Sequence, residues 1–403
     1  MLTRTVSLYK NAYSGLSRST WLLSAVMLVN RSGTMVVPFM TLYLTQPSMR
    51  YSIGQAGAVV GIFGLGSICG GWLGGRLTDK IGFHRVQRVT LAGGGLMLMV
   101  LGQVKSYPLI CGCAFLLNVV NDAFRPANST AIAAYSKEEN RTRSYSLNRL
   151  AINLGWAVGG AIGGILASIN FKLLFWVDGG TNLAAALLLR YFLDPSVTRI
   201  ARPVERKAPV TSPYQDKVYL LFIGATILFA SCFFQIFSVL PVYYKNILHM
   251  PEYMIGLLMT TNGLLIACFE MVLVFKMEGR RENLVYIFFG SCFVALAYFL
   301  LNILPLSVFT AYFCMILMTA GEISAMPFMN SFWISRTKPD NRGQYAGLYT
   351  IAWSTAQVIG PAGGAEIAQH AGFRPLWWAV GGICLLAAMG FRRLRRLKTV
   401  WDE

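Results

Sequence analysis

Gly74-Gly75-Arg76-Leu77-Thr78-Asp79-Lys80-Ile81-Gly82-Phe83-His84-Arg85 is a short charged stretch pinned between two long apolar runs, Ala56 to Trp72 and Val89 to Val104. An acid, several bases and three glycines do not reside in hydrocarbon, whereas each flanking run has the length and polarity of a membrane span. The stretch is therefore read as a hydrated turn closing a tight membrane hairpin, and the chain on either side extends the same pattern.

The chain has 403 residues, 55% of them apolar and only 13% charged, with a mean hydropathy of +0.53. A soluble domain of this length carries far more charge on its surface. The net charge of +18 does not mark a nucleic-acid binder, because the bases fall in short segments between apolar runs, a distribution that sets membrane topology. Eight cysteines all lie in apolar runs without C-x-x-C spacing and read as small core residues. Three histidines, each at a loop or helix end, provide neither a metal-ligand cluster nor a catalytic triad, and no G-x-x-x-x-G-K-[ST] phosphate loop exists. The expectation is a membrane protein with no metal site, no cofactor, no enzymatic constellation and no direct use of ATP.

Runs of about 17 to 25 mainly apolar residues occur twelve times, at 20–44, 53–75, 88–104, 108–135, 144–168, 172–193, 217–243, 254–275, 284–303, 305–333, 344–368 and 374–391. They predict an all-α protein of twelve transmembrane helices. Between the sixth and seventh runs, Pro195, Pro203, Pro209 and Pro213 alternate with Arg199, Arg202, Arg206 and Lys207, the composition of a hydrated linker. The domains expected are a six-helix bundle at 1–194, a cytoplasmic linker at 195–216, and a second six-helix bundle at 217–403 ending in a basic cytoplasmic tail.

Placing the N-terminus inside gathers Arg4, Lys10, Arg18, Arg76, Lys80, Arg85, Arg88, Lys137, Arg141, Arg143, the linker bases, Lys276, Arg280, Arg281, Arg336, Lys338, Arg342 and the bases from Arg392 to Lys398 on one side. Only Arg50, Lys105, Lys172, Lys245 and Arg374 remain on the other, so both termini are expected in the cytoplasm. The first run is too long for a signal-peptide core and is expected to be retained. An internal repeat supports two halves: Pro126, Asn140-Arg141, Leu147, Gly159 and Gly163 recur 201 residues later as Pro327, Asn341-Arg342, Leu348, Gly360 and Gly364. Duplicated bundles of this kind commonly pack around a midplane substrate site.

Charges inside the runs carry the most functional information, since each costs about 3 kcal/mol at the bilayer centre unless it faces a cavity or a partner. Arg31 in the first run, Asp122 and Arg125 in the fourth and Glu322 in the tenth are expected to face the central cavity. A carboxylate alternately exposed to the two sides can load and release a proton; Glu322 is the first choice for that task, with Asp122 second. Arg31 is expected to act as counter-ion to Glu322 or to an anionic group of the substrate. Asp122 and Arg125, three apart on one helix face, have the alternative of a permanent ion pair. Asp178, Glu270 and Glu366 are expected to reach an interface or a polar cavity wall. Arg125, Asn30, Asn118, Gln235, Asn262 and Gln357 join Arg31 as candidate substrate contacts.

From Gly75 to Gly82 the turn resembles the G-x-L-x-D-[KR]-x-G loop between helices 2 and 3 of the major facilitator superfamily, with Phe83-His84 standing before Arg85 where the family usually has two bases. Gly155-Trp156-Ala157-Val158-Gly159-Gly160-Ala161-Ile162-Gly163-Gly164 is similar to the family's antiporter-type G-x-x-x-G-P-x-x-G-G, with Gly160 at the proline position, and Gly360-Pro361-Ala362-Gly363-Gly364 keeps that proline. Gly321-Glu322, Pro327, Pro339-Asp340-Asn341-Arg342-Gly343 and Gly347-Leu348-Tyr349 resemble bacterial drug:proton antiporter-like members and proton-coupled oligopeptide transporters.

The resemblance implies the major facilitator fold of two pseudo-symmetric six-helix bundles. It implies a gating set of Gly75, Asp79, Gly82, Arg85 and Arg342, in which Asp79 engages the start of the eleventh span and latches the cytoplasmic side. It also implies close helix packing, at the interface between halves, by Gly155, Gly159, Gly163, Gly360, Pro361 and Gly364. The function implied is that of a monomeric secondary transporter in a bacterial inner membrane, moving a small organic solute by alternating access, with proton-coupled export of an amphipathic compound as the leading reading. Its partners are then protons, a small-molecule substrate and the lipid bilayer. Proton-coupled uptake of a small polar solute or peptide, and a non-transporting membrane sensor or scaffold, stay open at this point.

Overall fold

In hydrocarbon every backbone N–H and C=O must be satisfied within the segment, and the twelve apolar runs obey that rule by forming helices. The computed structural model describes residues 2–193 and 212–401. Most of the expected linker lies outside the described residues, among which there is no strand.

In the first half, α1 spans Leu2–Tyr13, α2 Arg18–Ser32, α3 Val36–Thr45, α4 Ile53–Ile81, α5 Phe83–Leu101, α6 Tyr107–Tyr135, α7 Arg141–Ile169 and α8 Phe171–Phe192. In the second, α9 spans Lys217–Phe233, α10 Val239–Asn246, α11 Glu252–Met277, α12 Asn283–Ile303, α13 Val308–Ser335, α14 Arg342–Ala371 and α15 Phe373–Trp401. Each predicted run falls on a helix or a broken helix, giving the all-α fold of twelve transmembrane segments.

The runs at 20–44 and 217–243 were expected as single helices, and both are interrupted. The first splits into α2 and α3 around Gly33, and the seventh splits into α9 and α10 around a 3₁₀ turn, Phe234–Phe237. Position 33 maps onto position 234 at the 201-residue spacing of the internal repeat, so the break is a property of the repeat. α1 is a helix that no apolar run announced; its Ala12 is fully buried and its Tyr9 hydroxyl donates to the Cys268 carbonyl of α11 at 2.6 Å.

Among the described residues, eight helical stretches are long and apolar enough to cross a membrane by length and composition alone. The first span is broken into the two short helices α2 and α3, and α5 opens on His84 and Arg85, which lower its mean hydropathy. Large apolar side chains such as Leu65, Val89, Ile165 and Phe309 are 60–78% exposed, as membrane-facing surface requires and an aqueous surface does not tolerate.

The chain divides into two compact units. One comprises Leu16–Ser212 with Thr337–Ile351, and the other comprises Met1–Gly15, Pro213–Arg336 and Ala352–Glu403. In the first, α3, α4, α5, α6 and α8 share a buried cluster that includes Met40, Tyr43, Phe63, Leu98, Leu117 and Phe175. In the second, Trp377 stacks on Tyr298 at 5.6 Å, the Tyr298 hydroxyl donates to the Cys232 carbonyl at 2.7 Å, and Phe222 packs between Phe332 and Phe391. Asp216 caps α9 by accepting from the Tyr219 amide and pairs with Arg336 at 2.8 Å, fixing the start of the seventh span to the end of the tenth.

Candidate functional site

The charged turn is built on close backbone approach. A Cβ added to Gly75 would lie 2.6 Å from the Gly343 carbonyl oxygen and 3.0 Å from the Gly347 Cα, and one on Gly347 would lie 2.7 Å from the Gly71 carbonyl oxygen. Only glycines let α4 and the first turns of α14 meet this closely. The contact places Asp79 directly on the N-terminus of α14, where Oδ1 accepts from the Gly343 amide at 2.6 Å and Oδ2 from the Gln344 amide at 2.8 Å. Those amides are orphan donors of a helix N-terminus, and a carboxylate also gains there from the partial positive charge. Arg342 lies alongside, its Nε donating to Thr337 Oγ1 at 3.2 Å.

Burial pushes the Asp79 carboxyl up to about 6 against the opposing pull of the two amides. Gly82 takes φ +86°, so the chain reverses between α4 and α5 at a left-handed residue. The pair Phe83-His84 that precedes Arg85 has a structural use. Phe83 packs edge-on against Tyr135 at 5.6 Å, and buried His84 bonds through Nε2 to the Leu193 carbonyl, closing the end of α8. Arg85 is exposed.

The break between α2 and α3 is held by a carboxylate that sequence reading ranked low. Asp178 of α8 is buried and accepts from the amides of Met35 (3.1 Å to Oδ1, 3.0 Å to Oδ2) and Val36 (2.7 Å to Oδ2), capping the ten-residue helix α3. Asn182, one turn on, donates to the Asp178 carbonyl and accepts from the Asn30 amide at 2.8 Å. Thr181 crowds Gly33, leaving no room there for a side chain. Asn30 thus takes part in holding the break. In the seventh span the corresponding polar group is Gln235, whose amide donates to the Gly360 carbonyl at 2.6 Å.

Asp122 and Arg125 form an ion pair of 2.8 Å along α6, Asp122 buried and Arg125 half-buried. Arg31, the last basic residue of α2, is within electrostatic reach of both, and its Nε finds no acceptor among the described residues. The first unit therefore gathers Arg31, Asp122 and Arg125 into one cluster. Asn118 is turned to other use: its amide donates to the Phe63 carbonyl at 2.6 Å and to Ser67 Oγ at 3.1 Å, binding α6 to α4.

In the second unit Glu322 lies midway along α13 and is only 4% exposed. Asn262 of α11 donates to Glu322 Oε2 at 3.0 Å and to Thr319 Oγ1 at 2.9 Å, while the Thr319 hydroxyl donates to the Met315 carbonyl. An acid, an amide and a hydroxyl from two spans thus make a buried polar cluster. Gln357 is exposed on α14.

The glycine runs pack within their own units. In α7, a Cβ on Gly155 would meet Arg31 Cβ at 2.5 Å, one on Gly159 the Ser32 carbonyl at 3.0 Å, and one on Gly163 would press on Phe39 and Met35. In α14, a Cβ on Gly360 would meet the Ser231 carbonyl at 2.7 Å, and Gly364 is covered by Gln235. Pro361 stands inside α14 beside this contact. The fifth span thus crosses the first at its break, and the eleventh crosses the seventh at its break, the same device used twice.

Comparison with known proteins agrees with this architecture. Over 370 residues the chain is 25% identical to a Na(+), Li(+), K(+)/H(+) antiporter of Planococcus maritimus, covering 83% of this chain and 85% of that one. It is 24% identical over 371 residues to sugar efflux transporter A of Escherichia coli K12, covering 88% and 91%. A bacterial homologue of the iron transporter ferroportin, crystallised in an outward-facing state with soaked iron, superposes with a TM-score of 0.75 at 17% identity, over 93% of this chain and 99% of that one. The sequence pattern of the Major Facilitator Superfamily matches residues 20–361, and the chain belongs to that family of multi-pass membrane transporters.

Proposed function

We propose that this transporter exports a small amphipathic organic solute in exchange for protons, by alternating access. The observation that carries the proposal is Glu322, a carboxyl buried midway along a membrane span and bonded to Asn262 beside Thr319. Such a group is costly in hydrocarbon unless it faces a cavity or a partner, and a carboxyl kept at that depth is a candidate proton carrier. Its amide and hydroxyl neighbours accommodate the ionised and the neutral carboxyl alike, because an amide donates to the one and accepts from the other. Arg31, with Asp122 and Arg125 around it, supplies a cationic site of opposite character for the solute. Asp79, docked on α14, supplies the cytoplasmic latch. The positive-inside distribution supports an inner membrane with both termini cytoplasmic, and two duplicated halves in one chain are sufficient for one translocation path, consistent with a monomer.

The test is proton movement in proteoliposomes with an acidic lumen, where addition of a transported solute alkalinises the lumen. Amphipathic cations, sugars and Na+, Li+ or K+ are added in turn. The reading predicts that an amphipathic organic compound dissipates the gradient and that transport collapses when the gradient is removed. Flux that is equal with and without a proton gradient refutes the coupling. A response to monovalent metal cations alone favours a second reading, raised by the relative from Planococcus maritimus, in which the exported solute is an inorganic cation.

A further inference from the structure

The loop joining α11 to α12, Glu278 to Glu282, meets the far end of α15. That helix continues beyond the apolar run expected to stop at residue 391, because Phe391 and Leu394 remain buried while Arg392, Arg393, Arg395 and Arg396 are exposed. Arg395 Nε donates to Glu282 Oε2 at 2.9 Å, holding the helix against the loop. Between them opens a cavity of about 530 Å³ lined by Gly279, Arg280, Arg281, Glu282, Val285 and Arg395. Three guanidiniums line it with one carboxylate, so the protein leaves the site with an excess of positive charge. Arg392 lies over the Phe288 ring, 5.8 Å from its centroid, extending the basic rim onto an aromatic surface.

We propose that this notch binds the phosphodiester headgroup of an anionic phospholipid. Three spans, Met254–Met277, Asn283–Ile303 and Phe373–Arg396, end around it, which puts it at the depth of the headgroups. The volume is that of a small-ligand pocket, guanidinium forks match phosphate oxygens in pairs, and basic pockets between span ends are suited to acidic headgroups. Val285 lines the floor of the notch, and half-buried Phe288 beneath Arg392 offers the adjoining apolar surface for a lipid's glycerol and acyl chains. A free phosphate has no use for that surface, and the lipid has.

The test is binding by the purified full-length protein in detergent, independent of any transported solute. Short-chain phosphatidylglycerol, short-chain phosphatidylcholine and inorganic phosphate are titrated, following the thermal midpoint and the lipid adducts seen by native mass spectrometry. Phosphatidylglycerol is expected to raise the midpoint and to be retained as an adduct, while the other two do neither. The double variant Arg280→Gln/Arg281→Gln, which leaves the Arg395 to Glu282 pair in place, is expected to weaken phosphatidylglycerol binding by at least about tenfold, or 1.4 kcal/mol, with an unchanged midpoint in the absence of lipid. Lys137→Gln/Lys338→Gln, which removes two exposed bases elsewhere, is expected to keep it. The proposal is overturned if wild-type protein retains phosphatidylcholine equally, if phosphate alone reproduces the shift, or if the two double variants lose binding to the same degree.

Discussion

At the scale of single residues, the two carboxylates Asp79 and Asp178 make the same interaction for different ends. Each accepts backbone amides at a helix N-terminus contributed by a distant part of the chain. Asp79 sits in the hydrated turn and titrates near 6 when docked, against an ordinary value of 3.8. The docked state therefore holds a proton between pH 3.8 and 6 that the undocked state releases. Its contribution to docking is fully present below pH 3.8 and is lost as pH rises through 6. Acidification from pH 7.5 to 5 should accordingly favour docking by about tenfold, read as a growing short-distance population between spin labels at Lys80 and Lys338. Asp79→Asn should flatten that pH response, and an opposite slope in the wild type contradicts the assignment. Asp178 has a structural task, so Asp178→Ala should cost about 1–2 kcal/mol, the value of a helix cap. A lowered thermal midpoint and faster hydrogen exchange at the Met35 and Val36 amides would show it. Neither partner of Asp178 was legible in the sequence: it lies 143 residues from Met35, and an acid in an apolar run announces a need for partners without naming them.

At the scale of elements, the glycines decide which helices touch. The run of apolar residues made α4 and α14 recognisable as spans, and the spacing of their glycines marked close packing. The partners were less legible, because a small residue permits an approach without specifying what approaches. The α7 run was expected between halves, and its described contacts fall on α2 and α3 within one unit. The breaks in the first and seventh spans were invisible for a related reason. Residues 36–45 carry no charge and residues 239–246 carry one, Lys245 near the end, so an apolar run continues through a break that is held by side chains from elsewhere, Asp178 in the first span and Gln235 against Gly360 in the seventh. Gly347→Leu tests the contact between α4 and α14, since a side chain there meets the Gly71 carbonyl and the backbone of Gly75. Overpacking of this sort costs about 1–3 kcal/mol. The variant should lose the short-distance population between Lys80 and Lys338 at every pH, and an unchanged population would show that the close approach is not required for docking.

At the scale of the whole molecule, composition, the twelve runs and the 201-residue repeat made the fold class readable before any coordinates. They did not reveal the solute, because specificity depends on which faces of many helices line the path. Candidate contacts divide accordingly: Asn30 and Asn118 are engaged in holding helices together, whereas Arg31 keeps an Nε without a protein acceptor among the described residues. The central claim is that a buried carboxyl on α13 exchanges its proton with the two sides of the membrane as the solute crosses. Glu322→Gln tests it most directly, because glutamine preserves the size and the contact with Asn262 while removing the titration. In proteoliposomes the variant should still exchange labelled solute at equilibrium but should lose accumulation driven by a proton gradient, by about a hundredfold or more, the order of a lost essential proton-transfer group. Gradient-driven accumulation by the variant equal to that of the wild type would contradict the claim.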